Sequence, residues 1–239
     1  MVNVHAWAHA MTPGEVVDAL DRFPGVGAVL NRGNYDAAAD LAVPPIAYVT
    51  SLASAEAVAR ANARWLAIIV NDERNATGPS GAYMTPAEYA TAFAPVRDVL
   101  RDVAPVHTMG LMSVATAWWH EILWARRFDD AYHERLPVAD GRAFNPNKVR
   151  RAEIDRVLRM PGPWILSPAP FRRWFDRVRQ PVSVRRWVAF AGRENVRAVA
   201  LWCVREFPKS AGGGWWDEHG LLDRDGRVTV VGRALLAAL

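Results

Sequence analysis

The chain has 239 residues, 51% of them apolar, with 11 Trp, which is enough for a large buried core in one or two domains and unlike a disordered chain. Its one cysteine, Cys203, excludes an internal disulfide framework and argues against a cysteine-based zinc site. The net charge of +4 hides an asymmetry, because residues 142–197 hold 14 Lys or Arg against 4 Asp or Glu and the remainder is net acidic. Lys148 and Lys209 are the only lysines, so the positive segment is almost all arginine. It could steer an anionic polymer, or simply line solvated helix faces. No nucleic-acid motif accompanies it, and no nucleic-acid partner is expected. No apolar run approaches the ~18–20 residues of a membrane span. The start, "MVNVHAWAHAM", has neither a basic n-region nor an apolar h-region, so no signal peptide is expected.

In chain order, "VNVHAWA" (2–8) reads as a strand carrying His5 and Trp7. Thr12-Pro13-Gly14-Glu15 then gives a helix start with a cap, a proline at the first helical position and a capping-box glutamate. "VGAVLNRG" (26–33) is the second strand, ending in Asn31 and Arg32, and "PIAYVTS" (45–51) the third. Ser54 opens the helix "AEAVARANA". The fourth strand, "WLAIIVNDE" (65–73), stops in Asn71, Asp72 and Glu73. Thr85-Pro86-Ala87-Glu88 repeats the start device before "YATAFAPVRDVLRDV". "VHTMGLMS" (106–113) is the fifth strand, with His107 on its N-terminal side. In "ATAWWHEILWARRF" a helix places Trp118, Trp119 and Trp124 in the core. His120 and Glu121 lack the second histidine of a zinc-protease helix, so no metal is implied. "GRAFNPN" (141–147) supplies Asn145 and Asn147, and "PWILSPAP" (163–170) supplies Ser167, outside any Gly-x-Ser-x-Gly setting. Ser183 opens "VRRWVAFAG", which stops at Gly192. "VRAVALWCV" (196–204) is the eighth strand, followed by a long loop containing "GGGWWDEH" and a last helix, "VGRALLAAL".

Several of these strands are continuously apolar rather than alternating, as parallel strands covered on both faces must be. Eight strands with intervening helices, at roughly 28 residues per unit, predict an α/β fold with a single (β/α)8 barrel over 1–239, close to the usual ~250 residues. A doubly wound open sheet would want a Gly-rich phosphate loop after an early strand, and "HAWAHAMTPGE" has none. In such barrels chemistry gathers where strands end at the C-terminal face. Polar and aromatic groups predicted at that rim are His5, Trp7, Asn31, Arg32, Asn71, Asp72, Glu73, Asn145, Asn147, Trp202 and Glu206.

An Asn followed by a carboxylate at the end of strand four, the following helix "TPAEYATAFAPVRDVLRDVAP" and the tail "GLLDRDGRVTVVGRALLAAL" resemble the clan-A glycoside hydrolases, and "ADGRAFNPN" is similar to their sixth strand. The resemblance implies a hydrolase of glycosidic bonds in a polysaccharide or oligosaccharide. It also implies a general acid/base at the end of strand four and no cofactor. The family's nucleophile closes strand seven, where this chain has Ser167 and Pro168 and no acid.

Glycoside hydrolysis usually takes two carboxylates, ~5–5.5 Å apart for retention and ~6.5–9.5 Å for inversion. Either Asp72 or Glu73 supplies the first, and adjacent strand residues point opposite ways. The family register selects Asp72. A rim bulge would bring in Glu73, with its longer reach. Glu206 is the nearest second carboxylate, unless "VREFP" is an ordinary turn, and Asp217 and Glu218 are further candidates. Asn71, His5, Trp7, Asn31, Asn145, Trp202, Trp215 and Trp216 are expected to bind sugar, the indoles by stacking. A barrel that kept the groove and lost the chemistry would instead be a glycan-binding module.

Overall fold

The computed structural model describes residues 2–61, 63–70, 83–113, 127, 140–147, 154–155, 158–159, 162–167, 180–206 and 219–239, with backbone alone for 109–113, 145–147 and 180–183. Eight strands close into a parallel barrel in chain order. They are β1 (Val4–Trp7), β2 (Val26–Leu30), β3 (Ile46–Val49), β4 (Ala67–Val70), β5 (Val106–Ser113), β6 (Gly141–Asn147), β7 (Trp164–Leu166) and β8 (Val196–Leu201). Each falls inside one of the eight segments predicted from sequence. Closure comes from β1 pairing with both β2 and β8, with Val4 opposite Val26 on one side and Val199 on the other. The described α-helices are α1 (Pro13–Leu20), α2 (Leu52–Arg60), α3 (Pro86–Leu100), α4 (Gln180–Ala191) and α5 (Val230–Leu236). None of the described helices is long and apolar enough to cross a membrane.

The helix starts are chemical. Thr12 and Thr85 each close a reciprocal capping box, with Glu15 and Glu88 respectively, ahead of a proline. For α2 the cap is Ser51 rather than Ser54. Ser54 sits three residues in and its hydroxyl accepts from the Ser51 N–H, so it is the other half of a serine capping box. Helix α4 begins at Gln180, before Ser183, and ends at Ala191, next to the predicted stop at Gly192. A short 3-10 helix, Tyr35–Ala39, follows β2 and had no sequence signal.

The strands separate two apolar layers. Val4, Ala6, Val26, Ile68, Val70 and Val199 face the helices. Trp7, Val29, Ile46, Ala67, Ile69, Ala143, Ile165, Ala198 and Ala200 fill the barrel interior. Both faces of β1, β2, β4 and β7 are buried, as expected of parallel strands covered on both sides.

Beneath that interior layer the barrel floor is polar. His5 on β1 is fully buried, with Nε2 3.0 Å from the Pro44 carbonyl. His107 on β5 is also fully buried, with Nδ1 3.3 Å from the Pro105 carbonyl. Each ring lies over a glycine on the next strand. A Cβ on Gly27 would stand 2.4 Å from His5 Cδ2, and one on Gly141 would stand 2.4 Å from His107 Nε2 and 2.6 Å from the Pro163 carbonyl. Eight strands leave little room in the middle, and these two glycines supply it.

Burial disfavours the charged imidazolium, lowering His5 to about 4 and, with help from the nearby Arg197 charge, His107 to about 3. An unfolded chain takes up both protons near pH 6.5, so it binds more protons than the barrel at any pH between. Stability is therefore full above 6.5 and falls as pH drops. Two such groups give a slope approaching roughly 2.7 kcal/mol per pH unit. Urea unfolding at pH 7.5, 6 and 5, where carboxylates remain ionised, should show this loss, and a flat series would contradict it. Gly141→Ala, which meets backbone as well as the ring, should cost about 1–3 kcal/mol in the same assay.

Candidate functional site

The C-terminal mouth is built first by the inward row of β1. Period two carries His5, Trp7 and His9 up one side of the interior. His5 lies at the floor of this row, a layer below the mouth. Trp7 is 2% exposed, and its indole N–H donates to the Ser167 hydroxyl at 2.7 Å, just past β7. That bond spans from the first strand to the seventh and fixes the plane of the ring. His9 stacks on Trp7 at 5.1 Å with an interplanar angle of 3°. Tyr48 on β3 meets Trp7 edge-on at 5.2 Å. Trp202, immediately after β8, leans on both, 5.9 Å from Trp7 and 4.6 Å from His9.

The loop that carries His9 is held by its neighbours. Ala10 adopts a left-handed φ of 51°, a conformation costly for a residue with a Cβ. The side-chain amide of Asn34 donates to the Ala8 carbonyl at 2.5 Å, and its oxygen accepts from the Asn31 N–H at 2.8 Å. The Asn31 side-chain oxygen accepts from the Gly33 N–H at 2.9 Å, so it shapes its own turn. Burial lowers His9 to about 4, so near neutral pH the ring stacked on Trp7 is uncharged.

Glu206 sits four residues past Trp202, half-exposed, on a segment fixed from two sides. Its N–H donates to the Leu222 carbonyl at 3.0 Å, while Leu221 and Leu222 donate back to Cys203 and Val204 at 2.9 Å. Arg205 pairs with Glu15 of α1 at 2.9 Å. Gly220 makes this close approach possible, because a Cβ there would stand 2.4 Å from the Leu222 carbonyl and 2.5 Å from the Glu206 nitrogen. Val204, Arg205 and Glu206 are thus braced from two sides.

Strand β4 leads to the same mouth. The Tyr89 hydroxyl on α3 donates to the Val70 carbonyl and clamps the strand's last residue. Asn71, Asp72 and Glu73 follow Val70 and lie outside the described residues, as do Trp215, Trp216, Asp217 and Glu218. So does the segment of Trp118, Trp119, His120, Glu121 and Trp124. Asn145 and Asn147 are in the β6 backbone, opposite Leu111 and Ser113. Arg32 is exposed beside Asn31. Among the described residues no group of three or more His, Cys, Asp or Glu is placed to hold a metal. Three arginines of the basic segment have packing roles, Arg193 pairing with Asp155 at 2.6 Å and Arg142 and Arg186 lying over Trp164 and Trp187.

No family model and no curated protein sequence matches the chain. Solved structures do. A GH128 (subgroup VII) oligosaccharide-binding protein from Cryptococcus neoformans matches with a TM-score of 0.60 at 14% identity, over 99% of this chain and 93% of that one. A GH128 (subgroup VI) exo-β-1,3-glucanase from Aureobasidium namibiae matches at 0.64 and 14%, over 98% and 95%. A GH5_18 protein from Bifidobacterium longum subsp. longum, in complex with Manβ1-4GlcNAc, matches at 0.67 and 10%, over 99% and 77%. The fold is a (β/α)8 barrel, as in these neighbours. At these identities the likeness is one of fold, and it covers nearly the whole chain.

Within that barrel, the residues that sequence reasoning missed are His9, Tyr48 and Tyr89. The first could have been found by extending the His5–Trp7 alternation two residues, and the second by the same parity from Ile46. Two substitutions test the geometry. Ser167→Ala strands the buried indole N–H of Trp7, and thermal or urea unfolding should register a loss of about 1–3 kcal/mol. Gly220→Ala forces backbone apart beneath Glu206 and should cost a similar ~1–3 kcal/mol. Wild-type stability in either variant would contradict the contact on which it rests.

Proposed function

We propose that the chain, as one domain over 1–239, binds a polysaccharide or oligosaccharide at the mouth and hydrolyses a glycosidic bond there. The observation that carries this reading is the aromatic floor of Trp7, Tyr48, His9 and Trp202, set where barrel strands end and where substrates of such barrels bind. Apolar sugar faces stack on indole, and its N–H can donate to a hydroxyl. The fold neighbours support the same reading, since they include an exo-β-1,3-glucanase and an oligosaccharide-binding protein.

In the proposed mechanism the strand-four acid protonates the leaving glycosidic oxygen, with Asn71 hydrogen-bonding a neighbouring hydroxyl. Glu73 is favoured over Asp72 for its longer reach to the glycosidic oxygen, with a rim bulge turning it inward. Strand seven offers Ser167 in place of a carboxylate, with its hydroxyl engaged by Trp7, so a covalent glycosyl intermediate has no acid there to form on. Glu206, on its braced segment, is proposed as the base that activates water, which makes the reaction inverting. Trp215 and Trp216 would wall the adjoining subsites.

A second reading rests on the same serine. If no second carboxylate faces the strand-four acid, the barrel is a glycan-binding module. A screen of polysaccharides for released reducing ends separates the two. Where activity is found, Glu73→Gln should lower turnover by on the order of 10²–10⁴ and Asp72→Asn far less. The reverse order would move the acid to Asp72, and full turnover in both would remove the strand-four acid from the chemistry. Product anomers followed by NMR should show inversion, and retention would exclude Glu206 as base. Binding without release of reducing ends would establish the second reading, and loss of that binding in Trp202→Ala would locate it at the mouth.

A further inference from the structure

Trp202 stands at the mouth against both Trp7 and His9. It follows the last residue of β8 and is only partly buried. A stacking platform works only if its plane is held before the sugar arrives, because each side chain ordered on binding subtracts from affinity. What holds this plane is a sequence of contacts across the mouth. The Ser167 hydroxyl accepts from the Trp7 indole at 2.7 Å. Trp7 cannot turn without breaking that buried bond. His9 stacks on Trp7, 3° from parallel, and also meets Trp202 at 4.6 Å, tilted 44°. The backbone behind His9 is pinned through Ala8 and Met11 by the Asn34 amide.

We infer that His9 is a positioning residue for Trp202, and that Ser167 anchors it through Trp7. The strand-seven serine therefore has work of its own in the glycan site, as the fixed end of a contact chain that sets an indole plane on strand eight. The inference deepens the glycan-site reading and rests on it only for the ligand. The ring geometry stands or falls separately. An aromatic ring is what the site requires, since the contacts on both sides of His9 are faces and edges of indoles. Phenylalanine should thus replace histidine, and alanine should not.

The test uses the full chain and two readouts. Trp7 and Trp202, 5.9 Å apart and tilted 46°, are close enough for their indole transitions to couple. The circular dichroism difference between wild type and His9→Ala should contain the lost couplet, while His9→Phe should retain it. Ser167→Ala should weaken the same band without removing a ring. The second readout is affinity for β-1,3-linked gluco-oligosaccharides, the probe suggested by the GH128 exo-β-1,3-glucanase neighbour. His9→Ala should weaken binding about five- to tenfold, the size expected of one aromatic contact, with rescue by His9→Phe. In a Trp202→Ala background the His9→Ala change should cost nothing further. An unchanged couplet in His9→Ala, or a full additional loss in the Trp202→Ala background, overturns the inference. If instead the couplet responds as expected but Trp202→Ala leaves glycan affinity untouched, the positioning of Trp202 stands and the glycan-site reading fails.

Discussion

Space inside a closed ring of eight strands is the constraint on which the rest of this molecule depends. Every strand sends alternate side chains inward, and the interior accommodates only a limited volume per layer. This chain spends that volume unevenly. The floor takes two imidazoles, each made possible by a glycine on the neighbouring strand. The middle is filled by alanines and branched aliphatics. Only at the top does the interior widen into Trp7, Tyr48 and Trp202 with His9 between them. The mouth can be aromatic because the layer under it is small, with Ala198 and Ala200 on the strand that leads to Trp202.

The same inward row joins stability to recognition. His5, Trp7 and His9 are consecutive inward positions of one strand and its exit, so a change of register in β1 would move all three at once. That register is held by backbone pairing on both sides, to Gly27 and to Ala200 at the level of His5. The β8 exit is tied back as well, since the Val204 N–H donates to the Trp7 carbonyl at 2.8 Å. Glu206 inherits its position from that tie and from the Arg205–Glu15 pair, which links the exit to the capping box of α1. The capping residue that starts the first helix is therefore also part of the brace beneath a candidate catalytic carboxylate.

Much of the fold was legible in the sequence because its signals are local. Short β-rich runs, several of them continuously apolar, marked the eight strands, and Thr-Pro-x-Glu marked two helix starts with the reciprocal bonds it implies. Where local chemistry was ambiguous the reading slipped. Ser51 and Ser54 can each cap the other's N–H, and the sequence does not say which stands outside the helix. The site was less legible because its geometry is non-local. Nothing in "WILSPAP" announces that Ser167 receives an indole N–H from residue 7, and His9 lay beyond the predicted end of its strand. His5 was read to the right strand and face, but strand length alone could not separate floor from mouth.

Ser167 sharpens the question of what the mouth does. A serine where clan-A barrels carry an acid reads, from sequence, as a loss. In the fold it is 4% exposed and its hydroxyl oxygen accepts a short bond from Trp7, so its place is structurally occupied. A carboxylate there would be larger, would need to remain ionised beside three aromatic rings, and would pay the desolvation cost of a charge in an apolar site. The aromatic floor and a strand-seven nucleophile thus compete for one location. On the proposed reading, the second carboxylate comes from elsewhere than strand seven. Glu206, the proposed base, sits on a segment held by its bond to Leu222 and by the Arg205–Glu15 pair.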